Sequence, residues 1–248
     1  NETMTNIEEC FEFLKKFASK KIIYGINTGF GPMAQWRVED AHLKDLQYNI
    51  IRSHSTGVGE PLSDECVLAA MIARIGVFAQ AKSGIHREVV ELLQAFINNR
   101  IVPFIPKHGS VGASGDLVQL AHIALTLIGE GKVHYKNEWC PTSVVLKQLN
   151  LKPMAIYIRE GLSITNGTSV MTGIAAINQI HAENLLRLAV LSSVWMNEIA
   201  SSYDDMMSAV LNDCRNHEGQ IEIASQMREM AASSKCFVKR EHELYDGA

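Results

Sequence analysis

The chain has 248 residues, of which 47% are hydrophobic and 20% are charged, and its formal net charge is −4. This length and composition allow one large hydrophobic core or two smaller ones. Acidic and basic residues are interspersed, and the lack of a basic face argues against a nucleic-acid partner. The longest apolar region, about residues 170–200, contains Asn178, Glu183 and Arg187, which predicts a buried helix and not a membrane span.

The predicted elements are mostly helices. The stretch 25–59 is rich in glycine and is expected to be irregular and to carry function on loops, apart from a short helix at 43–52. Ser63 is a good N-cap for a helix that runs to about Ala81. Further helices are predicted at 87–98, 117–128, 168–200 and 220–232, with Asp116 as the cap of the 117–128 helix and a short helix between Pro141 and Pro153.

Residues 132–139 alternate between apolar and polar and predict a small hairpin. The 117–128 segment is apolar nearly all round and is expected to be deeply buried. These elements predict a mainly α fold, a bundle of long helices with an irregular glycine-rich N-terminal region. The predicted division is a loop region at residues 1–62 and a helical region at residues 63–248.

The cysteines and histidines give no sign of a metal site. Five cysteines are scattered without a Cys-x-x-Cys pair, and no His-Glu-x-x-His or Cys/His cluster occurs. Reduced thiols and the lack of a signal-peptide pattern predict a cytoplasmic location. His122 and His181, on apolar helices, are expected to be core residues with satisfied hydrogen bonds, and His108 is a candidate for shaping the glycine-rich loop that follows it.

The triplet Ala113-Ser114-Gly115 lies in that loop, just before the apolar 117–128 helix. Gly115 has no Cβ, so its amide nitrogen can approach the Ala113 carbonyl closely. Ring closure with loss of two waters would turn Ser114 into an exocyclic methylidene conjugated to an imidazolone. This electrophile has no counterpart among ordinary side chains. The positive end of the helix dipole would favour negative charge that develops there.

A nucleotide-binding loop is the alternative interpretation. The spacing Gly109-x-x-Gly112-x-x-Gly115 before a helix resembles a phosphate cradle. The dinucleotide pattern, however, requires Gly-x-Gly-x-x-Gly after a strand, and Pro103 and Pro106 argue against a central strand here. No Lys-Ser/Thr pair follows, as a P-loop would need. No nucleotide cofactor is therefore expected.

Four segments, in chain order, carry a family resemblance. Residues 24–31 read Tyr-Gly-Ile-Asn-Thr-Gly-Phe-Gly, 46–59 read Leu-Gln-Tyr-Asn-Ile-Ile-Arg-Ser-His-Ser-Thr-Gly-Val-Gly, 109–122 read Gly-Ser-Val-Gly-Ala-Ser-Gly-Asp-Leu-Val-Gln-Leu-Ala-His, and 159–168 read Arg-Glu-Gly-Leu-Ser-Ile-Thr-Asn-Gly-Thr. Together they resemble the histidine, tyrosine and phenylalanine ammonia-lyases, the methylidene-imidazolone enzymes. The likeness covers about residue 22 to the end, and is strongest to histidine ammonia-lyase-like and bacterial tyrosine ammonia-lyase members.

The resemblance implies a carbon–nitrogen lyase and a place within a larger all-α lyase fold. The enzyme would eliminate ammonia from an aromatic L-amino acid and leave urocanate or coumarate. The catalytic group, 4-methylidene-imidazol-5-one, would form from Ala113, Ser114 and Gly115. Tyr24 would be the catalytic base, in an active-site lid loop whose glycines let it close over the substrate.

The resemblance also implies substrate-binding roles for Gly31, Ser53, His54 and Asn166. Asn166 would hold the substrate carboxylate or the cofactor ring. The pair Ser53-His54 resembles that of histidine lyases, whereas other runs look most like bacterial tyrosine lyases that carry the same pair. Histidine and tyrosine therefore both stay open as the substrate.

Family members extend well beyond this length. The chain thus resembles their N-terminal part, and a glutamine, a Tyr-x-x-Arg segment, a phenylalanine and a late glutamate of the active site would lie further on. The resemblance implies a homotetramer with shared active sites and no membrane partner. An aminomutase, which returns the ammonia to the β-carbon, is not separated by these residues. A non-catalytic helical scaffold is disfavoured because Tyr24, Ser114 and Asn166 are all present.

Overall fold

The computed structural model describes residues 2–238, and this part of the chain is mainly α-helical, as predicted. The helices are α1 (Glu2–Ala18), α2 (Leu43–His54), α3 (Asp64–Ala79), α4 (Arg87–Asn98), α5 (Leu117–Leu127), α6 (Thr142–Gln148), α7 (Glu160–Thr165), α8 (Ser169–Ile199), α9 (Ala209–Asp213) and α10 (Glu218–Ala231). The short strands are β1 (Val58–Pro61), β2 (Val102–Pro103), β3 (Pro106–His108), β4 (Lys132–Tyr135) and β5 (Glu138–Pro141). No helix within residues 2–238 combines the length and the apolar character that a membrane crossing requires.

The predicted helices agree with the observed ones to within a few residues at each end. Ser63 caps α3, and its hydroxyl accepts a hydrogen bond from the Cys66 amide at 3.4 Å. α1, α7 and α9 were not predicted. α1 buries only Ile7 and Phe11, four residues apart, so its apolar stripe is narrow and easily overlooked.

The chain divides into two compact units, residues 1–177 and 178–248. The first unit holds the large core, built from side chains of α3, α4, α5 and their neighbours, among them Met71, Phe78, Leu93, Phe96, Leu120, Ile123 and Leu127. The second unit buries a smaller set: Val190, Val194, Met207 and Ala224. The predicted boundary at residue 62 stays a prediction, and residues 239–248 of the predicted helical region lie outside the described residues.

α5 lies deep in the first unit, and none of its residues is exposed. It packs against α2 and α7. This confirms the burial expected from its apolar composition. Because α2 and α7 both pack against α5, the N-terminus of α5 is fixed, and so is the end of the loop that precedes it.

Two small sheets connect the helices. β1 pairs antiparallel with β3, with Val58 opposite His108. The second sheet has the order β2-β4-β5 and contains the predicted hairpin. Pro103 lies in β2, at an edge of that sheet, where a residue without an N–H is tolerated. The β1–β3 pair ties the segment after α2 to the segment before α5.

The long helix α8 differs from the prediction. It was expected to be buried, yet residues 178–189 are all exposed, including His181, which was expected to be a core residue. Its exposed apolar side chains include Ile180, Leu185, Leu186, Leu188, Trp195, Met196 and Ile199. The predicted burial of α8 is not achieved by this chain at residues 178–189, because the apolar composition of a helix does not indicate what covers it.

Candidate active site

The Ala113-Ser114-Gly115 triplet forms a turn at the N-terminus of α5. Ala113 and Ser114 are exposed. Gly115 has φ of +91°, in the left-handed region, and a Cβ added to it would lie 2.3 Å from the carbonyl oxygen of Gly167. A side chain at this position would therefore be both strained and obstructed, so only glycine fits.

The capping of α5 corrects one prediction. Its first turn is capped by Ser110, whose hydroxyl accepts from the Val118 amide at 3.0 Å. The Asp116 side chain makes no capping bond to α5, and its carboxylate accepts instead from the Met171 amide at 2.8 Å. Met171 lies in the first turn of α8, where free amides and the positive helix end favour an anion. Asp116 thus fastens the triplet loop to a second helix.

A cavity of about 250 Å³ opens at the triplet. It is lined by His54 and by the loop and first turn of α5: Gly109, Ser110, Val111, Gly112, Ala113, Ser114, Gly115, Leu117 and Val118. His54 is the last residue of α2, which packs on α5. The fold therefore brings the predicted selectivity residue and the predicted cofactor triplet to one cavity, whereas Tyr24, Gly31, Ser53 and Asn166 do not line it.

The segment that carries His54 is held by two hydrogen bonds. The Ser53 hydroxyl lies 3.0 Å from Nδ1 of His54, and the Gly57 amide donates to Nε2 of His122 at 3.2 Å. Burial lowers the pKa of His122, so its ring is neutral near pH 7 and Nε2 can accept. His122 thus has a ring nitrogen with a hydrogen-bond partner, as predicted, but it is half-buried and not the core residue that was expected.

His108 lies on β3, directly before the triplet loop. A Cβ added to Gly59 would approach its ring atom Cδ2 to 3.0 Å, so the imidazole lies against β1. This places His108 beside the strand pair and outside the cavity lining. Its influence on the shape of the loop stays a prediction.

Tyr24 lies in the predicted lid loop and has 50% of its surface exposed. Its phenol oxygen accepts a hydrogen bond from the Gly31 amide at 3.0 Å, and its ring meets the ring of Phe30 edge-on with centroids 6.2 Å apart. The two lid residues singled out from the sequence, Tyr24 and Gly31, thus contact each other. Because Tyr24 does not line the cavity, its role as base requires the lid loop to move, and this stays a prediction.

Gln47 is a functional candidate that the sequence analysis missed. It is fully buried on α2, donates to the Gly25 carbonyl at 2.7 Å and accepts from the Leu162 amide at 3.0 Å. One amide side chain therefore joins the base of the lid loop to α7. An isolated polar residue on the buried side of a helix was the available signal.

Asn166 leaves the C-terminus of α7 with its side chain exposed. The next residue, Gly167, accepts from the Asp116 amide at 2.7 Å and packs against Gly115. The Asn-Gly pair is therefore a direct backbone neighbour of the triplet, even though Asn166 does not line the cavity.

Two buried charged residues fix α7 and were also missed. Glu160 has no exposed surface, and its carboxylate accepts from the amides of Tyr157 and Ile158 at 2.9 Å each and from that of His86 at 3.3 Å. Arg74 is buried on α3 and donates to the carbonyls of Ser163 and Asn166. Arg74 is a lone charge among apolar neighbours in the sequence, and such a residue is seldom buried without a structural partner. Glu160 follows Arg159 directly, so its sequence neighbours gave no such signal.

The model of the aromatic amino acid lyase family matches residues 1–246. The chain belongs to the aromatic amino acid lyase family. The family resemblance that the four sequence segments indicated is thereby confirmed.

Individual relatives agree with this membership. The histidine ammonia-lyase of Salmonella typhimurium (strain LT2) is 38% identical over 228 residues, which are 92% of this chain and 45% of that protein. The solved tyrosine aminomutase of Streptomyces globisporus matches 96% of this chain and 45% of its own, with a TM-score of 0.92 and 32% identity. The histidine ammonia-lyase structure from Trypanosoma cruzi matches 92% of this chain and 44% of its own, with a TM-score of 0.83 and 31% identity. The chain spans less than half the length of these relatives.

Proposed function

We propose that the full-length protein is an aromatic amino acid ammonia-lyase that acts on histidine or tyrosine through a methylidene-imidazolone group formed from Ala113, Ser114 and Gly115. The observation that carries this proposal is the cavity that the triplet shares with His54 at the N-terminus of α5. The naming of the relatives as histidine ammonia-lyases supports the reaction class. The five cysteines are free thiols, which supports a cytoplasmic location.

The triplet fits such a group. Its glycine has a left-handed φ and no room for a Cβ, so the backbone can turn tightly enough for ring closure. The Gly115 nitrogen bonds to the Ala113 carbonyl carbon, and that oxygen leaves as water with the amide protons of Gly115 and Ser114. The second water takes the Ser114 hydroxyl and the Ser114 α-proton. When formed, the group supplies the electrophile for the reaction.

The chain's own residues supply the remaining functions. Tyr24, as its phenolate, takes up the substrate β-proton, and the Gly31 amide donates a hydrogen bond to the oxygen that receives this proton. The α5 N-terminus favours negative charge that develops at the triplet. His54 binds the polar tip of the substrate ring, and Asn166 orients the carboxylate.

Intact mass and turnover test this proposal together. We expect purified full-length protein to be lighter than its sequence by two waters, and to convert histidine or tyrosine faster than phenylalanine when the three are assayed in parallel. An unreduced mass together with no release of unsaturated acid from any of the three would reject the proposal.

An aminomutase is the second candidate, and the similarity to the tyrosine aminomutase structure favours it. Such an enzyme would use the same residues and differ in holding the product long enough for ammonia to add to the β-carbon. Chromatography of the reaction for the β-amino acid beside the unsaturated acid separates the two. A β-amino acid as the main early product would establish the aminomutase.

The selectivity role of His54 can be tested with His54→Phe. If the imidazole pairs with the substrate tip, its removal leaves a buried polar group unpaired, which costs about 1–3 kcal/mol, or about tenfold to a hundredfold in selectivity. We expect kcat/KM to fall for histidine and tyrosine relative to phenylalanine, which has no polar tip and serves as the internal control. An equal loss on all three substrates would mean that His54 only packs the loop.

The exposed apolar surface of α8, together with the family resemblance, predicts a homotetramer in the full-length protein. The side chains of Leu185, Leu188 and Ile199 are 67%, 59% and 86% exposed, and a soluble protein rarely leaves such a surface uncovered. We expect sedimentation of the full-length protein to give four subunits, and Leu185→Lys with Leu188→Glu to dissociate them with loss of activity. A fully active monomer would contradict this prediction.

A further inference from the structure

Arg74 is a buried cation whose partners are backbone carbonyls. It lies on α3, has 2% of its surface exposed, and donates to the carbonyls of Ser163 and, at 2.9 Å, Asn166. No carboxylate within residues 2–238 forms an ion pair with it. Burial lowers the pKa of Arg74 to about 10, so the side chain stays charged at neutral pH. Burying a charge without a carboxylate partner is costly, and the two carbonyls and the Phe78 ring, whose centroid lies 4.9 Å from the guanidinium carbon, stabilise it instead.

Both acceptors lie at the end of α7, where the last carbonyls lack partners inside the helix and form the negative end of its dipole. Arg74 therefore caps the C-terminus of α7 from a different helix. It fixes the point at which the chain leaves α7, where Asn166 is extended with φ of −95° and ψ of 113°.

The backbone of Asn166 and Gly167 lies between Arg74 and the triplet. On one side, a Cβ added to Gly167 would lie 2.2 Å from Nη1 of Arg74. On the other, the Gly167 oxygen accepts from the Asp116 amide at 2.7 Å and lies 2.3 Å from where a Cβ on Gly115 would be. The Arg74 guanidinium therefore packs against Gly167, and Gly167 packs against Gly115 of the triplet. Neither glycine has space for a side chain at its contact.

We propose that Arg74 is a positioning residue for the triplet. Through the backbone of Asn166 and Gly167, it holds Gly115 in the conformation that brings the Gly115 nitrogen to the Ala113 carbonyl carbon. This inference rests on the proposed self-made cofactor. Arg74 does not line the cavity, so it acts on ring closure and on the placement of Asn166, and takes no part in proton removal.

Arg74→Gln in the full-length protein tests this, with Arg159→Gln as the matched control. Arg159 lies at the opposite end of α7, burial lowers its pKa, and, like Arg74, it has a buried Nε without a hydrogen-bond partner. We expect the fraction of chains lighter by two waters to fall at least about tenfold in Arg74→Gln, the factor expected for one lost buried hydrogen bond. We expect it to stay at the wild-type level in Arg159→Gln at a comparable melting temperature.

Kinetics on the chains that do mature give a second readout. A displaced Asn166 should raise KM for the amino acid in Arg74→Gln while kcat per matured site is retained. Arg74→Lys serves if Arg74→Gln does not fold: lysine keeps the charge but lacks the planar fork that reaches two carbonyls, so we expect an intermediate matured fraction.

Three outcomes would overturn the inference. Wild-type maturation in both Arg74 variants would do so, and so would an equal loss of maturation in Arg159→Gln, because that would show general destabilisation. A wild-type chain without the mass loss would overturn both the inference and the proposed cofactor, which separates that failure from a failure of the Arg74 role alone.

Discussion

Ser114→Ala is expected to abolish turnover while leaving the fold nearly intact. Alanine has no hydroxyl to lose as water, so the methylidene cannot form and the substrate meets no electrophile. The α5 cap is provided by Ser110 and the tie to α8 by Asp116, and neither depends on the Ser114 side chain. The measurement is steady-state turnover of the purified full-length variant together with its intact mass, which should not fall by the two waters.

Ser110→Ala is the matched control, since it removes a hydroxyl from the same loop. It should lower stability by about 0.5–2 kcal/mol through the lost cap, yet keep the triplet and hence the mass loss of two waters. If Ser114→Ala retained even a tenth of wild-type turnover, the electrophile would have to come from somewhere other than the triplet.

Tyr24→Phe is expected to keep the mass loss and the near-ultraviolet absorbance of the conjugated ring but to lower elimination by about two to four orders of magnitude, the usual contribution of a general base. The ring packs edge-on against Phe30, and phenylalanine preserves that contact. Only the phenol oxygen and its bond from the Gly31 amide are lost. Cofactor formation and proton removal are thereby measured separately.

Tyr157→Phe provides the comparison for Tyr24→Phe. Its exposed hydroxyl donates to Glu88 at 3.0 Å, and Tyr157 does not line the cavity at the triplet, so removal of the hydroxyl should leave the rate unchanged. Wild-type rates in Tyr24→Phe as well would remove Tyr24 from the mechanism and direct attention to bases outside this chain.

The sequence predicted what depends on neighbours along the chain. The Ser63 cap of α3, the helical pattern of α4 and the alternation in the β4–β5 hairpin are all local features, and each was found where expected. The triplet could be recognised because its chemistry needs three consecutive residues. Its shared cavity with His54 followed from the family resemblance and not from any local pattern.

What the sequence did not predict depends on partners that are distant along the chain. Asp116 looked like the cap of α5, but the amides at the start of α8 lie within its reach, and those residues are far apart in the sequence. Gln47 and Arg74 reach residues of α7 that lie even further away. The exposure of α8 has the same cause, because periodicity shows that an apolar face exists without showing what covers it.

The contact between Ser53 and His54 has a consequence for molecular recognition. A serine hydroxyl has a single proton, and the Ser53 oxygen lies 3.0 Å from Nδ1 of His54 and 3.4 Å from the Ile50 carbonyl oxygen. When the Ser53 hydroxyl donates its proton to Nδ1 of His54, a neutral imidazole carries its own hydrogen on Nε2, which is then a donor. With the proton turned to Ile50, Nδ1 becomes the donor and Nε2 offers a lone pair. Rotation of the Ser53 hydroxyl, together with transfer of the imidazole proton from one ring nitrogen to the other, therefore turns Nε2 from a donor into an acceptor without moving any heavy atom. The same dipeptide is thus compatible with either a donor or an acceptor as its partner.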